Sequence, residues 1–237
     1  MRLRAANDGK PPIYAWLEPG DVDKAARSII DLAPNVEGVA IGTPFFVEYG
    51  PPGVRQSMHS LPELELFLDL KYHDIPNTVA AAVRAAIPLA PKIISLHAVG
   101  GAAMMRAAAA AIEHLSQRRP LLVAEITASC SVPRAPADNP RTGDGGAHQI
   151  RLMDMARASG MDGVLCNIAE ITDLTRRNCR HLAIVADRRE QEQTLGPHTL
   201  GISQTDRNSI EDVLIEIVSL SRLAGLDSVD TNEIGNI

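Results

Sequence analysis

Short apolar runs alternate with helical patterns along most of the chain. Candidate strands are IYAWL (13–17), VEGVAI (36–41), LELFLDLK (64–71), KIISLH (92–97), LLVAEIT (121–127), DGVLC (162–166), LAIVA (182–186) and DSVD (227–230). Apolar periodicity near 3.6 predicts helices over 21–32, 76–89, 100–115, 148–160 and 207–225. Asp21 is a candidate N-cap, and Pro76 sits at a first-turn position. Gly160 and Gly225 follow the last periodic residues and predict left-handed C-terminal caps. Eight strands alternating with helices predict a single domain over 1–237 with the (β/α)8 TIM-barrel fold. Two features depart from the standard pattern. A Pro/Gly-rich segment, 131–147, predicts a long loop after strand five. The strand read at 227–230 leaves only 231–237 behind it, so the eighth helix is missing in this reading.

The third strand carries the clearest chemistry. Period-two alternation places Leu64, Leu66, Leu68 and Leu70 on one face and Phe67, Asp69 and Lys71 on the other. With the leucines against the outer helices, Asp69 and Lys71 point into the barrel near its C-terminal end, where barrel enzymes keep their chemistry. Asp74 follows in the loop before Pro76. A lysine between carboxylates is held in its charged form and is a positioned proton donor. The D-x-K-x-x-D spacing by itself fits a structural ion pair equally well. Glu125 shares a face with Leu121 and Val123, so it is read as inward-pointing, either a new acid in the site or an ion-pair partner. His73 and His97 read as hydrogen-bonded structural histidines rather than general bases. Cys130, at the barrel mouth, reads as a small polar pocket wall rather than a nucleophile.

Composition removes other classes. The net charge of the 237 residues is −6 and aromatics are 3%, which excludes a basic, base-stacking nucleic-acid surface. Cys130, Cys166 and Cys179 form no CxxC or Cys/His cluster, so the expectation is a reduced, cytoplasmic protein without a metal or a disulfide framework. No apolar run has transmembrane length and the N-terminus has no signal-peptide pattern, so no membrane association is expected.

The wider segment FLDLKYHDIPNTV (67–79), with AAAVRAA, SLHAVGGAAMMRAAAAAIE (95–113) and ARASGMDGVLCNIAEI (156–171), resembles the orotidine 5′-phosphate decarboxylase family. The likeness runs from about Ile13 to Ile171. It implies a cofactor-independent carboxy-lyase acting on a small pyrimidine substrate, with Lys71 protonating the product carbon beside Asp69. It also implies a homodimer in which Asp74 crosses into the partner's site, and a substrate-binding Thr78.

Elsewhere the chain departs from that family's pattern. Leu17 stands where the first strand usually carries a ribose-contacting aspartate, with Glu18 taking that place in a shifted alignment, and Ala40 stands where the second carries a lysine, with no lysine nearby to replace it. Ser129-Cys130 replaces a Thr-Ser that reads the pyrimidine. The phosphate end lacks its glycine-rich turn and its Gly-Arg; Asn232 and Glu233 stand there, with Arg188 or Arg189 as candidate substitutes. Each charged hydrogen bond lost costs about 1.5–3 kcal/mol. These departures predict a family member recruited to a pyrimidine nucleoside or similar heterocycle without a 5′-phosphate. The alternatives are an ordinary orotidine 5′-phosphate decarboxylase and a non-catalytic barrel protein that binds ligand.

Overall fold

The computed structural model describes residues 12–17, 36–60, 62–126, 145–167, 183–187 and 214–219. Eight parallel strands follow one another around a closed barrel: β1 (Ile13–Leu17), β2 (Gly38–Gly42), β3 (Glu65–Tyr72), β4 (Ile93–His97), β5 (Leu121–Glu125), β6 (Gly163–Asn167), β7 (Ala183–Asp187) and β8 (Leu214–Ser219). β8 pairs with β1, Ile13 opposite Glu216 and Trp16 opposite Ser219, which closes the cylinder. Seven strands fall within two residues of their sequence-predicted positions. The eighth does not. The final strand lies at Leu214–Ser219, inside the segment predicted as a helix over 207–225, and not at 227–230. LIEIVS is short, apolar and rich in β-branched residues, and periodicity alone does not separate a strand from a helix there. The inference of a missing eighth helix rested on the wrong strand and falls with it. Residues 220–237, with Gly225 and Glu233, lie outside the described residues, as do Glu18, the predicted helix at 21–32 and residues 127–144.

Alternation sorts the strand side chains into two layers. Leu66, Leu68, Val39, Ile41, Ile94 and Leu96 belong to the core between strands and helices. Tyr14, Trp16, Phe67, Ile93, Val123 and Leu165 fill the barrel itself. The two aromatic side chains of β1 need small neighbours on β2. A Cβ on Gly38 would overlap the Tyr14 ring and the Glu65 carbonyl, and one on Gly42 would overlap the Trp16 ring. Ala40, paired with Trp16, completes the series. At the N-terminal end of the barrel, Tyr14 donates a hydrogen bond to Glu65, which also pairs with Lys92 at 2.8 Å. Burial first, and then Glu65, push the Tyr14 phenol far above its ordinary value. Arg119 forms a forked pair with Asp162, whose Oδ2 also accepts from Leu122 N, tying the starts of β5 and β6 together.

Four helices are described: α1 (Thr43–Ser60), α2 (Pro76–Ala86), α3 (Gly101–Ile112) and α4 (Gly145–Ala158). α1 is kinked at Gly50, whose φ of 56° and ψ of −165° are not helical, just before Pro51 and Pro52. α2 opens at Pro76 as predicted and buries Val79, Ala80, Val83 and Ala86. α4 begins inside the predicted 131–147 loop. It ends in a Schellman motif: Gly160 has a φ of 83°, its amide donates to Arg157 O, and Met161 N donates to Ala156 O. No described helix is long and apolar enough to cross a membrane.

Candidate active site

The site is built where β3 departs from regularity. Register with β4 shifts between Leu68 and Tyr72, and Lys71 takes a φ of 48°. A bulge at a strand end re-aims a side chain, and a non-glycine residue held in the left-handed region costs about 1–2 kcal/mol. Ser95, fully buried and inward-facing on β4, holds this conformation. Its Oγ accepts the Lys71 amide at 2.8 Å and donates to Asp69 Oδ1 at 2.8 Å. One hydroxyl therefore fixes both the strained backbone of the lysine and the rotamer of the aspartate.

Lys71 Nζ lies 3.7 Å from Asp69 Oδ1 and 2.5 Å from Glu125 Oε2. Asp69 is 1% exposed and Glu125 5%, while the lysine side chain is 32% exposed and reaches toward the mouth. The inward reading of Glu125 holds: it is the closer carboxylate, reaching Lys71 from β5 across β4. His97 ends β4 opposite Glu125 and stacks loosely on His73, with ring centroids 5.3 Å apart. His97 Nδ1 accepts the Val99 amide at 3.3 Å. Burial, aided by His73 and Lys71 and opposed by Glu125, lowers its pKa below the ordinary histidine value. Among the described residues no three His, Cys, Asp or Glu side chains converge to hold a metal ion.

Asp74 sits apart from the buried charges. It is exposed in the turn after β3, where its Oδ1 accepts the Ile75 amide at 2.6 Å. Thr78 is exposed in the first turn of α2, its amide donating to Ile75 O at 3.0 Å. Ser129, Cys130, Arg188 and Glu233 lie outside the described residues. Ala40 is buried inside the barrel. Leu17 is in the outer layer, so it does not mark a lost ligand contact; the inward positions of β1 are Tyr14 and Trp16. Sequence reasoning did not single out Ser95. Its signal was present, a hydroxyl at an inward position between Ile93 and His97.

Comparison with known proteins identifies a family and a shared fold. A family profile described as orotidine 5′-phosphate decarboxylase / HUMPS matches residues 12–219. A protein named orotidine 5′-phosphate decarboxylase from Rhodospirillum rubrum is 37% identical over 164 residues, 67% of this chain and 66% of the relative. One of the same name from Novosphingobium aromaticivorans is 36% identical over 189 residues, 78% of this chain and 80% of the relative. Among solved structures, orotidine 5′-phosphate decarboxylase from Lactobacillus acidophilus superposes with a TM-score of 0.67 at 20% identity, covering 92% of this chain and 98% of its own, a likeness of fold. With a profile match spanning all eight strands and relatives above 30% identity, this chain belongs to the orotidine 5′-phosphate decarboxylase / HUMPS family.

Proposed function

We propose that this protein is a cofactor-independent carboxy-lyase that converts orotidine 5′-monophosphate to uridine 5′-monophosphate in cytoplasmic pyrimidine synthesis. The observation that carries the reading is the Lys71 ammonium, aimed into the barrel mouth by a strained backbone and held beside buried Asp69 through Ser95. In the reaction the bond between C6 and the carboxylate breaks, carbon dioxide leaves, and the electron pair stays on C6. Lys71 stabilises that charge and donates the proton that ends the step. Asp69 orients the lysine and crowds the departing carboxylate. The relatives' names favour this ordinary reading over the phosphate-free one. The strongest sequence argument for the latter, Glu233 following the last strand, took 227–230 as the eighth barrel strand, a place that Leu214–Ser219 holds.

Two equal copies sharing their sites fit the surface. Val47, Ile75 and Val99 are 78%, 66% and 44% exposed, and all three follow strand ends at the C-terminal mouth. Covering them in a homodimer brings exposed Asp74 toward a neighbouring site, with Thr78 on the same rim. The test is a turnover assay with orotidine 5′-monophosphate and with orotidine, in wild type and in Lys71→Ala. Phosphate-dependent activity, lowered by at least about 10³-fold in Lys71→Ala, is expected. Activity on neither compound, or wild-type activity in Lys71→Ala, defeats the reading. Mixing inactive Lys71→Ala with inactive Asp74→Asn should restore activity at about a quarter of the sites, since one site of each mixed dimer is intact. Failure to restore it, with exchange of subunits demonstrated, defeats the shared site.

A phosphate-free substrate is the second reading. It is favoured by the apolar interior at Trp16 and Ala40 and by the added carboxylate of Glu125. Turnover of orotidine at a kcat/KM equal to or above that of the monophosphate would decide for it.

A further inference from the structure

Glu125 is a charged side chain that the proposed reaction does not use. It is inward-facing on β5 and 5% exposed. Its Oε2 is fully buried and lies 2.5 Å from Lys71 Nζ. Asp69 is farther from the same nitrogen, at 3.7 Å, and is engaged by Ser95. The inner mouth thus sets two carboxylates against one ammonium among the described residues. His97, held toward its neutral form, does not redress the balance. The β2 position paired with Asp69 is Gly42, which adds no charge.

We propose that Glu125 is a positioning residue that sets the charge preference of the site. It holds the Lys71 ammonium from the β5 side, and an anionic group of a ligand reaches that ammonium only in competition with it. A buried carboxylate this close acts through a low dielectric, so its effect falls on ligands according to their charge at the barrel centre. A purely structural ion pair would weaken or strengthen all ligands alike. The proposal uses the decarboxylase reading only in its choice of ligands.

The experiment compares wild type, Glu125→Gln and Glu125→Asp, each checked for native circular dichroism. The first arm measures acetylation of Lys71 by acetic anhydride, read by peptide mass spectrometry. The second measures KM and kcat for orotidine 5′-monophosphate and the inhibition constant of uridine 5′-monophosphate, which lacks only the C6 carboxylate. In Glu125→Gln, Lys71 acetylation is expected to rise about fivefold or more, and KM for orotidine 5′-monophosphate to fall about tenfold, with the inhibition constant of uridine 5′-monophosphate, which carries the same phosphate but no charge at C6, moving less than about twofold. Glu125→Asp should keep the wild-type preference. Unchanged Lys71 acetylation, or equal shifts for both ligands, overturns the proposal. If neither nucleotide binds to any variant, the decarboxylase reading fails instead, and the acetylation arm alone decides whether Glu125 holds Lys71.

Discussion

Ser95→Ala tests how far one buried hydroxyl organises this site. The substitution removes two 2.8 Å hydrogen bonds at a fully buried position. Losing the bond to the Asp69 carboxylate costs about 1.5–3 kcal/mol, and leaving the Lys71 amide without its acceptor costs about 1–3 kcal/mol. Local relaxation reduces the sum, so the expected destabilisation is about 2–4 kcal/mol, a large share of a typical 5–15 kcal/mol. For a chain of this size that corresponds to a fall in Tm of about 10 °C. Turnover should fall by about 10²-fold, because the left-handed backbone at Lys71 is no longer held and the ammonium is misaimed. Trp16 is the single tryptophan and lies inside the barrel, so its fluorescence reports urea unfolding at one fixed protein concentration. Ser57→Ala is the matched control, removing one neutral 3.1 Å bond to Gly53 O inside α1 at a cost of about 1 kcal/mol or less. If Ser95→Ala stays within about 0.5 kcal/mol of wild type with unchanged kcat, the hydroxyl does not hold the lysine and the reasoning is refuted.

The strain at Lys71 gives a second prediction: Lys71→Gly should be about 1 kcal/mol more stable than Lys71→Ala, measured by urea titration, because only glycine adopts a φ of 48° without penalty. At the bottom of the barrel, Gly38→Ala should destabilise by about 1–3 kcal/mol, since the new methyl meets the Glu65 carbonyl as well as the Tyr14 ring; a Tm equal to wild type would show that the strands part easily there. His97 supplies a pH dependence. Its folded pKa is lowered, so the unfolded chain takes up this proton more readily. Its contribution is fully present above the unfolded value near 6.5 and is lost as pH falls through the lower folded value. His97→Gln should therefore flatten the stability profile on the acid side of about pH 6.5, and an unaltered slope in urea titrations across that range would count against the assignment.

Much of the molecule was legible in the linear chain because its signals are local. Seven strands, the inward face of Phe67, Asp69 and Lys71, the opening of α2 at Pro76 and the cap at Gly160 all follow from a period or from one residue's backbone preference. A period of two sets side-chain direction wherever the strand falls, which is why Glu125 was read as inward. The failures come from long-range pairing. LIEIVS has no local feature that selects strand over helix; its pairing with β1 and β7 decides it. Gly38 and Gly42 read as unremarkable small residues until Tyr14 and Trp16 are packed against them across the ladder. The spacing of Asp69, Lys71 and Asp74 carries no information on what else meets the lysine. The barrel closes around Lys71 with Ser95 from β4 and Glu125 from β5, while Asp74 is exposed in the turn after β3. Sequence periodicity determines which way a side chain points. Only the curvature that brings β3, β4 and β5 side by side decides what it meets there.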